Sequence, residues 1–137
     1  ETASEMYDGK RVLLVEDNDL NREIAREILG SFSLEVEEAA DGQQALERFR
    51  KVPDGWYDLI FMDIQMPVMN GYEAAKAIRA LDRNDARQVP IVAMTANVFA
   101  EDVAAALSGG MNDHLGKPVV IDKLKEILAR WLQTAGK

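Results

Sequence analysis

The sequence predicts an α/β domain: a doubly wound, five-stranded parallel sheet with helices on both faces. Three observations carry this. Short runs rich in Val, Leu and Ile recur five times along the chain. Each is followed by a stretch whose apolar residues repeat at helical spacing. The breaks between them fall at Asp, Asn, Gly and Pro. The chain has 137 residues, 47% of them apolar, enough for one domain with its own core.

Arg11 to Glu16 (RVLLVE) reads as a strand covered on both faces, since it is apolar without alternation. Asn18 or Asp19 can cap the helix that follows, where Leu20, Ile24, Ile28 and Leu29 recur up to a stop at Gly30. Leu34 to Ala39 is a weaker second strand. Asp41-Gly42 is read as the start of a helix through Ala45, Leu46 and Phe49 rather than as a hairpin turn. Pro53-Asp54-Gly55 is a turn, and Tyr57 to Met62 (YDLIFM) a third strand. A loop with Pro67 and Asn70-Gly71 leads to a helix through Ala74, Ile78 and Leu81. Asp82 to Gln88 is read as a polar loop. Val89 to Met94 is the fourth strand, Phe99 to Leu107 the fourth helix, and His114-Leu115 the fifth strand. The last helix carries Leu124, Ile127, Leu128, Trp131 and Leu132 on one face. Residues 1–9 read as a linker or tail, 10–134 as the folded unit and 135–137 as a C-terminal tail. Because the chain does not begin with Met, a fragment of a longer protein is expected.

Composition excludes several functions. Without cysteine there are no disulfides, thiolate metal sites or thiol chemistry, which fits a reducing, cytoplasmic setting. A net charge of −8 opposes a nucleic-acid surface. No apolar run is long enough to span a bilayer, so no membrane contact is expected of this domain.

In an open parallel sheet, sites form beyond the carboxyl ends of the strands. The first strand ends at Glu16-Asp17, the third at Asp63, the fourth at Thr95 and the fifth near Lys117. Three carboxylates, a hydroxyl and an ammonium therefore converge on one edge. Crowded carboxylates repel unless a cation joins them. With no His or Cys among them, the cation expected is Mg²⁺, with Mn²⁺ as the substitute. Lys117 and Thr95 add donors suited to phosphoryl oxygens, and a carboxylate can accept a phosphoryl group.

VLLVEDN, IFMDIQMPVMNG, IVAMTAN and MNDHLGKP resemble the signature segments of the response regulator receiver domain, in wording closest to receivers attached to hybrid histidine kinases. The resemblance covers residues 10 to 134. It implies a flavodoxin-like (βα)5 fold with strand order 2-1-3-4-5. It implies that Asp63 is the phosphoacceptor and a Mg²⁺ ligand, that Asp17 ligates directly and Glu16 through water, and that the backbone carbonyl of Gln65 completes the set. Thr95, Ala96 and Lys117 would bind the phosphate. Thr95 and His114 would form the switch, and the bond before Pro118 would be cis. The partners implied are a histidine kinase or a histidine phosphotransfer domain. A homodimer through the fourth predicted helix, fifth strand and fifth helix is a further expectation. The parent is expected to be a hybrid sensor histidine kinase, anchored in a membrane or not. A stand-alone single-domain regulator is the alternative.

Blander readings exist for single residues. Asp17 could be a cap, Thr95 a strand end and Lys117 a solvated lysine. His114, the only histidine, is read as a packing switch rather than a phosphoryl donor. Gln65 and Asn97 lie two residues past Asp63 and Thr95, positions that the resemblance implies set how fast the acyl phosphate hydrolyses; both are amides and poor bases, so a long-lived acyl phosphate is expected. Met66, Met69 and Met94 read as packing, Pro67 and Gly71 as loop-shaping, and Trp56 and Trp131 as partly buried anchors. A Mg²⁺ phosphohydrolase would want a second acid where Gln65 stands. A flavin binder would be repelled by Glu16-Asp17-Asn18-Asp19. A phosphate-independent interaction domain would have no need of the full residue set.

Overall fold

The computed structural model describes Tyr7 and residues 9–66, 68–95, 100–117 and 119–132, with side chains for all of these except 100–103. The elements are β1 (Arg11–Val15), α1 (Asp19–Gly30), β2 (Glu35–Ala39), α2 (Gly42–Lys51), β3 (Leu59–Asp63), α3 (Gly71–Arg79), α4 (Asn84–Gln88), β4 (Ile91–Thr95), α5 (Ala100–Ser108), β5 (Asp113–Gly116) and α6 (Ile121–Trp131). All strand pairs are parallel and the sheet order is β2-β1-β3-β4-β5, as the resemblance implied.

Parallel strands need crossovers, and the crossovers cover both sheet faces. The inner strands are therefore buried on both sides, and alternate residues enter different cores. Leu13, Val15, Ile60, Met62, Ile91 and Ala93 meet α2 and α3 through Ala45, Phe49, Ala74, Ala75 and Ile78. Val12, Leu14, Leu59, Phe61, Val92 and Met94 meet α1 and α6 through Ala25, Leu29, Leu124, Ile127 and Leu128. Truncating a fully buried ring such as Phe61 at the centre of such a layer costs about 3–5 kcal/mol.

Three expectations are corrected. The 82–88 segment read as loop contains the short helix α4, whose Asp85 is bonded by Arg83 at 2.7 Å and by the Gly55 N–H at 2.8 Å. β3 and β4 begin two residues later and end one residue later than their apolar runs. Asp63 and Thr95 are thus the last strand residues rather than the first loop residues. On α1, Leu20 and Ile24 do not reach the core. They stand 64% and 49% exposed, and Ala25 and Leu29 are the buried pair.

β2 is an edge strand of sequence EVEEA, in which Ala39 alone is fully buried. Its acids are held from both faces. Glu38 takes Arg22 and Arg26 of α1 at 3.1 and 2.9 Å. Glu37 accepts from Trp56 Nε1 at 3.0 Å and Tyr57 OH at 2.5 Å. Such charged edges resist pairing with another sheet.

Candidate functional site

β1, β3, β4 and β5 deliver their terminal residues to one cleft of about 270 Å³, lined by Glu16, Asp17, Asn18, Asn21, Asp63, Ile64, Gln65, Met94, Thr95 and Lys117. Glu16, Asp17 and Asp63 each offer a carboxylate oxygen there, all within 4.8 Å of one another. Glu16 and Asp63 are buried, whereas Asp17 is exposed at the mouth. Lys117 reaches across from the end of β5, placing Nζ 3.1 Å from Glu16 Oε1 and 3.2 Å from Asp63 Oδ2. Its contact with Glu16 is a hydrogen bond. Its contact with Asp63 is ionic, and Asp63 Oδ2 is buried with no hydrogen bond from the described residues.

Burial first, and the neighbouring Glu16 carboxylate second, push the Asp63 carboxyl up to about 7, against the opposing pull of Lys117. Burial alone would lower Lys117, but Asp63 and Glu16 together hold its pKa above the ordinary lysine value. One ammonium thus serves two buried acids, and a third acid stands beside them. An under-coordinated carboxylate oxygen in an all-oxygen donor set fits a hard divalent cation.

The local backbone explains the placement. Asn18 caps α1, its side chain accepting from the Asn21 N–H at 2.9 Å, so Asp19 is not the cap. The Asn18 N–H in turn donates to Glu16 Oε2 at 3.1 Å. Beyond β3, the Gly71 N–H donates to the Ile64 carbonyl at 2.8 Å, and the Gly42 N–H to the Met69 carbonyl at 3.1 Å. A Cβ on Gly71 would run into the Asp63 carbonyl oxygen, and one on Gly42 into that of Met69. Val68, at the tip of the loop, is 80% exposed and has φ 67°, a left-handed conformation that is strained for a β-branched residue.

The structure therefore brings together Glu16, Asp17, Asp63, Gln65, Thr95 and Lys117. Thr95 is buried, and its carbonyl accepts from the Lys117 N–H at 2.8 Å. His114 is paired with Ala93 as Thr95 is with Gly116, so Thr95 and His114 share one face of the sheet. His114 lies away from the acids, half-exposed, in a groove of about 590 Å³ between β5 and α6. Ala96, Asn97 and Pro118, with the expected cis bond, lie outside the described residues. Sequence reasoning missed Asn21 and the part played by Gly71. The Asn70-Gly71 pair pointed to a turn, but no sequence signal placed it against the Asp63 backbone.

The model of the response regulator receiver domain matches residues 12–129. The chain belongs to the receiver domain family. Among curated relatives it is 35% identical over 123 residues to hybrid signal transduction histidine kinase A of Dictyostelium discoideum, covering 89% of this chain and 6% of that protein. It is 36% identical over 122 residues to a peroxide stress-activated histidine kinase of Schizosaccharomyces pombe, covering 88% and 7%. The chain thus spans a small fraction of the length of the curated relatives it matches. Among solved structures it resembles the receiver domain of a Pseudomonas aeruginosa sensor histidine kinase, which was crystallised with a magnesium ion in its active-site cleft. Identity there is 41% and the TM-score 0.80, over 90% of this chain and 97% of that one. It also resembles the Saccharomyces cerevisiae complex of the histidine phosphotransfer protein Ypd1 with the Ssk1 receiver domain, at 34% identity and a TM-score of 0.79, over 91% and 90%. Receivers with a magnesium ion and with a phosphotransfer partner thus share this fold. Among the described residues, no helix is long and apolar enough to cross a membrane.

Proposed function

We propose that this receiver, residues 10–134, accepts a phosphoryl group from a partner's phosphohistidine onto Asp63 and changes its surface in response. The observation that carries the reading is the buried Asp63 carboxylate, crowded by Glu16 and Asp17 and, among the described residues, paired with Lys117 alone. Asp17 and Asp63 would hold Mg²⁺ directly, Glu16 through water, with the Gln65 carbonyl as a further ligand. When bound, the cation supplies neutralisation of the carboxylates and of the incoming phosphoryl oxygens.

The rest falls to the chain's own groups. An Asp63 oxygen forms the O–P bond as the P–N bond of the phosphohistidine breaks. The electron pair of that bond stays on the imidazole, which takes up a proton. Lys117 already stands beside Asp63 and pairs with a phosphoryl oxygen as charge builds there. The Thr95 hydroxyl, with Ala96 after it, receives the remaining oxygens. Drawing Thr95 toward the phosphate alters the sheet face it shares with His114, and that coupling is the switch. Gln65 and Asn97 bring no base to the acyl phosphate, so it is long-lived.

A histidine phosphotransfer domain or a histidine kinase is the donor, a reading supported by the relatives above. The parent chain would be a hybrid sensor kinase working in the cytoplasm. The exposed Leu107 of α5 and the β5–α6 groove support pairing of two copies through α5, β5 and α6. The test is labelling of the domain with a phosphorylated phosphotransfer protein or acetyl phosphate in Mg²⁺. Asp63→Asn is expected to abolish the label, and a label that persisted on another residue would reject Asp63. Removing Mg²⁺ with EDTA is expected to suppress labelling of the wild-type domain by at least tenfold.

A further inference from the structure

Arg22, in the first turn of α1, contacts the backbone of the cleft itself. Its guanidinium makes three hydrogen bonds to three different parts of the chain. Nη1 donates to the Glu16 backbone carbonyl at 2.8 Å. Nη2 donates to Asp19 Oδ1 at 2.6 Å. Nε donates to Glu38 Oε1 on β2 at 3.1 Å. The side chain is 18% exposed.

The carbonyl it grips belongs to the peptide joining Glu16 to Asp17, one residue past the end of β1. A carbonyl there needs a donor from elsewhere. Because the peptide is planar, holding its oxygen also holds the Asp17 N–H and Cα, and so narrows the directions in which the Asp17 side chain can leave the backbone to those set by its φ alone. Glu16 is fixed independently: its N–H donates to Ala39, Oε2 accepts from Asn18, and Oε1 accepts from Lys117. Asp17 is exposed, and among the described residues no hydrogen bond or ion pair holds its side chain. We infer that Arg22 is a positioning residue for the cation site, holding the Glu16–Asp17 peptide so that the Asp17 carboxylate faces Asp63. The inference rests on the reading of Asp17 and Asp63 as Mg²⁺ ligands.

Charge alone would give Arg22 the opposite effect, since a cation beside a cation site repels it. Burial works against the charged guanidinium, yet the bonds to Asp19 and Glu38 keep its pKa above the ordinary value, so the charge is permanent. What the site gains is the fork. Lysine keeps the charge but presents one point of contact on a flexible stem, and it cannot hold three acceptors in fixed directions.

The experiment is a calorimetric Mg²⁺ titration of the whole chain, with amide NMR spectra recorded without metal. Arg22→Lys is expected to weaken Mg²⁺ binding about tenfold, the scale of losing a group that orients a ligand, and to move the Asp17 amide resonance before any metal is added. Arg26→Lys is the control. Arg26 sits one turn on, pairs with Glu38 at 2.9 Å and does not touch the Glu16 carbonyl, so its binding is expected to stay within twofold of wild type. Unchanged or tighter binding in Arg22→Lys overturns the inference, as does equal weakening in both variants. If Arg22→Lys does not fold, Glu38→Ala replaces it, because it removes the acceptor of one of the three bonds and keeps Arg22. Weaker binding then supports the inference and unchanged binding overturns it. A wild-type chain that ignores Mg²⁺ would instead overturn the metal reading on which the inference rests.

Discussion

Gly71 shows what a missing methyl group does for the cleft. Its N–H bonds the Ile64 carbonyl, and its Cα lies where any side chain would displace the Asp63 backbone. Gly71→Ala is expected to cost about 1–3 kcal/mol in urea denaturation, the range for forcing a group into filled space. It should also lower the rate of the proposed phosphorylation, because the strain falls on the carbonyl of the proposed acceptor residue, Asp63. The residues with plain chemistry were legible beforehand. Asp63 ends a run of four buried apolar residues, where a carboxylate has no packing reason to be, and Lys117 follows a strand end. Gly71 and Arg22 were not legible in their roles. A glycine in a loop and an arginine on a helix are ordinary in sequence, and their contacts with the cleft, to Asp63 and Ile64 and to Glu16, span six to eight positions through the turn of the chain.

At the scale of elements, α3 starts with a reciprocal cap. The Asn70 side chain accepts from the Glu73 N–H at 2.9 Å, and Glu73 Oε1 accepts from the Asn70 N–H at 3.0 Å. Asn70→Ala is expected to lower stability by about 1 kcal/mol, read as a reduced melting temperature. Long elements with a buried face announced themselves: α2, α3 and α6 each place apolar residues at helical spacing and bury them. α4 did not, since five residues are too few to show a period, and it is held by the polar contacts of Arg83, Asp85 and Asp54 together with one buried alanine, Ala86. On α1 the period was visible but its direction was not. Leu20 and Ile24 point outward on the element that borders the acids, and only the position of the sheet decides which side is inside.

For the molecule as a whole, the acid cluster ties stability to pH. A carboxyl whose pKa rises on folding, from near 4 to about 7 for Asp63, holds its proton more tightly when folded. Its contribution is fully present below about pH 4 and is lost as the pH climbs through 7. Asp113 and Asp85 are shifted downward, so their contributions disappear only in stronger acid, outside this window. The metal-free domain should therefore lose about 2 kcal/mol between pH 5 and pH 8 in chemical denaturation, and Asp63→Asn should flatten that slope. A slope of the same size in Asp63→Asn would assign the effect to other groups. The β-strand order and both cores agree with a chain whose apolar runs end where the chemistry begins. The loop tip at Val68 has a practical consequence. The chain contains no sulfhydryl, so a single cysteine introduced there would be the sole attachment point for a thiol-reactive dye. Five residues from Asp63 and open to solvent, that dye would report the proposed modification of Asp63 as a change in emission, without radioactivity and without touching a group of the cleft.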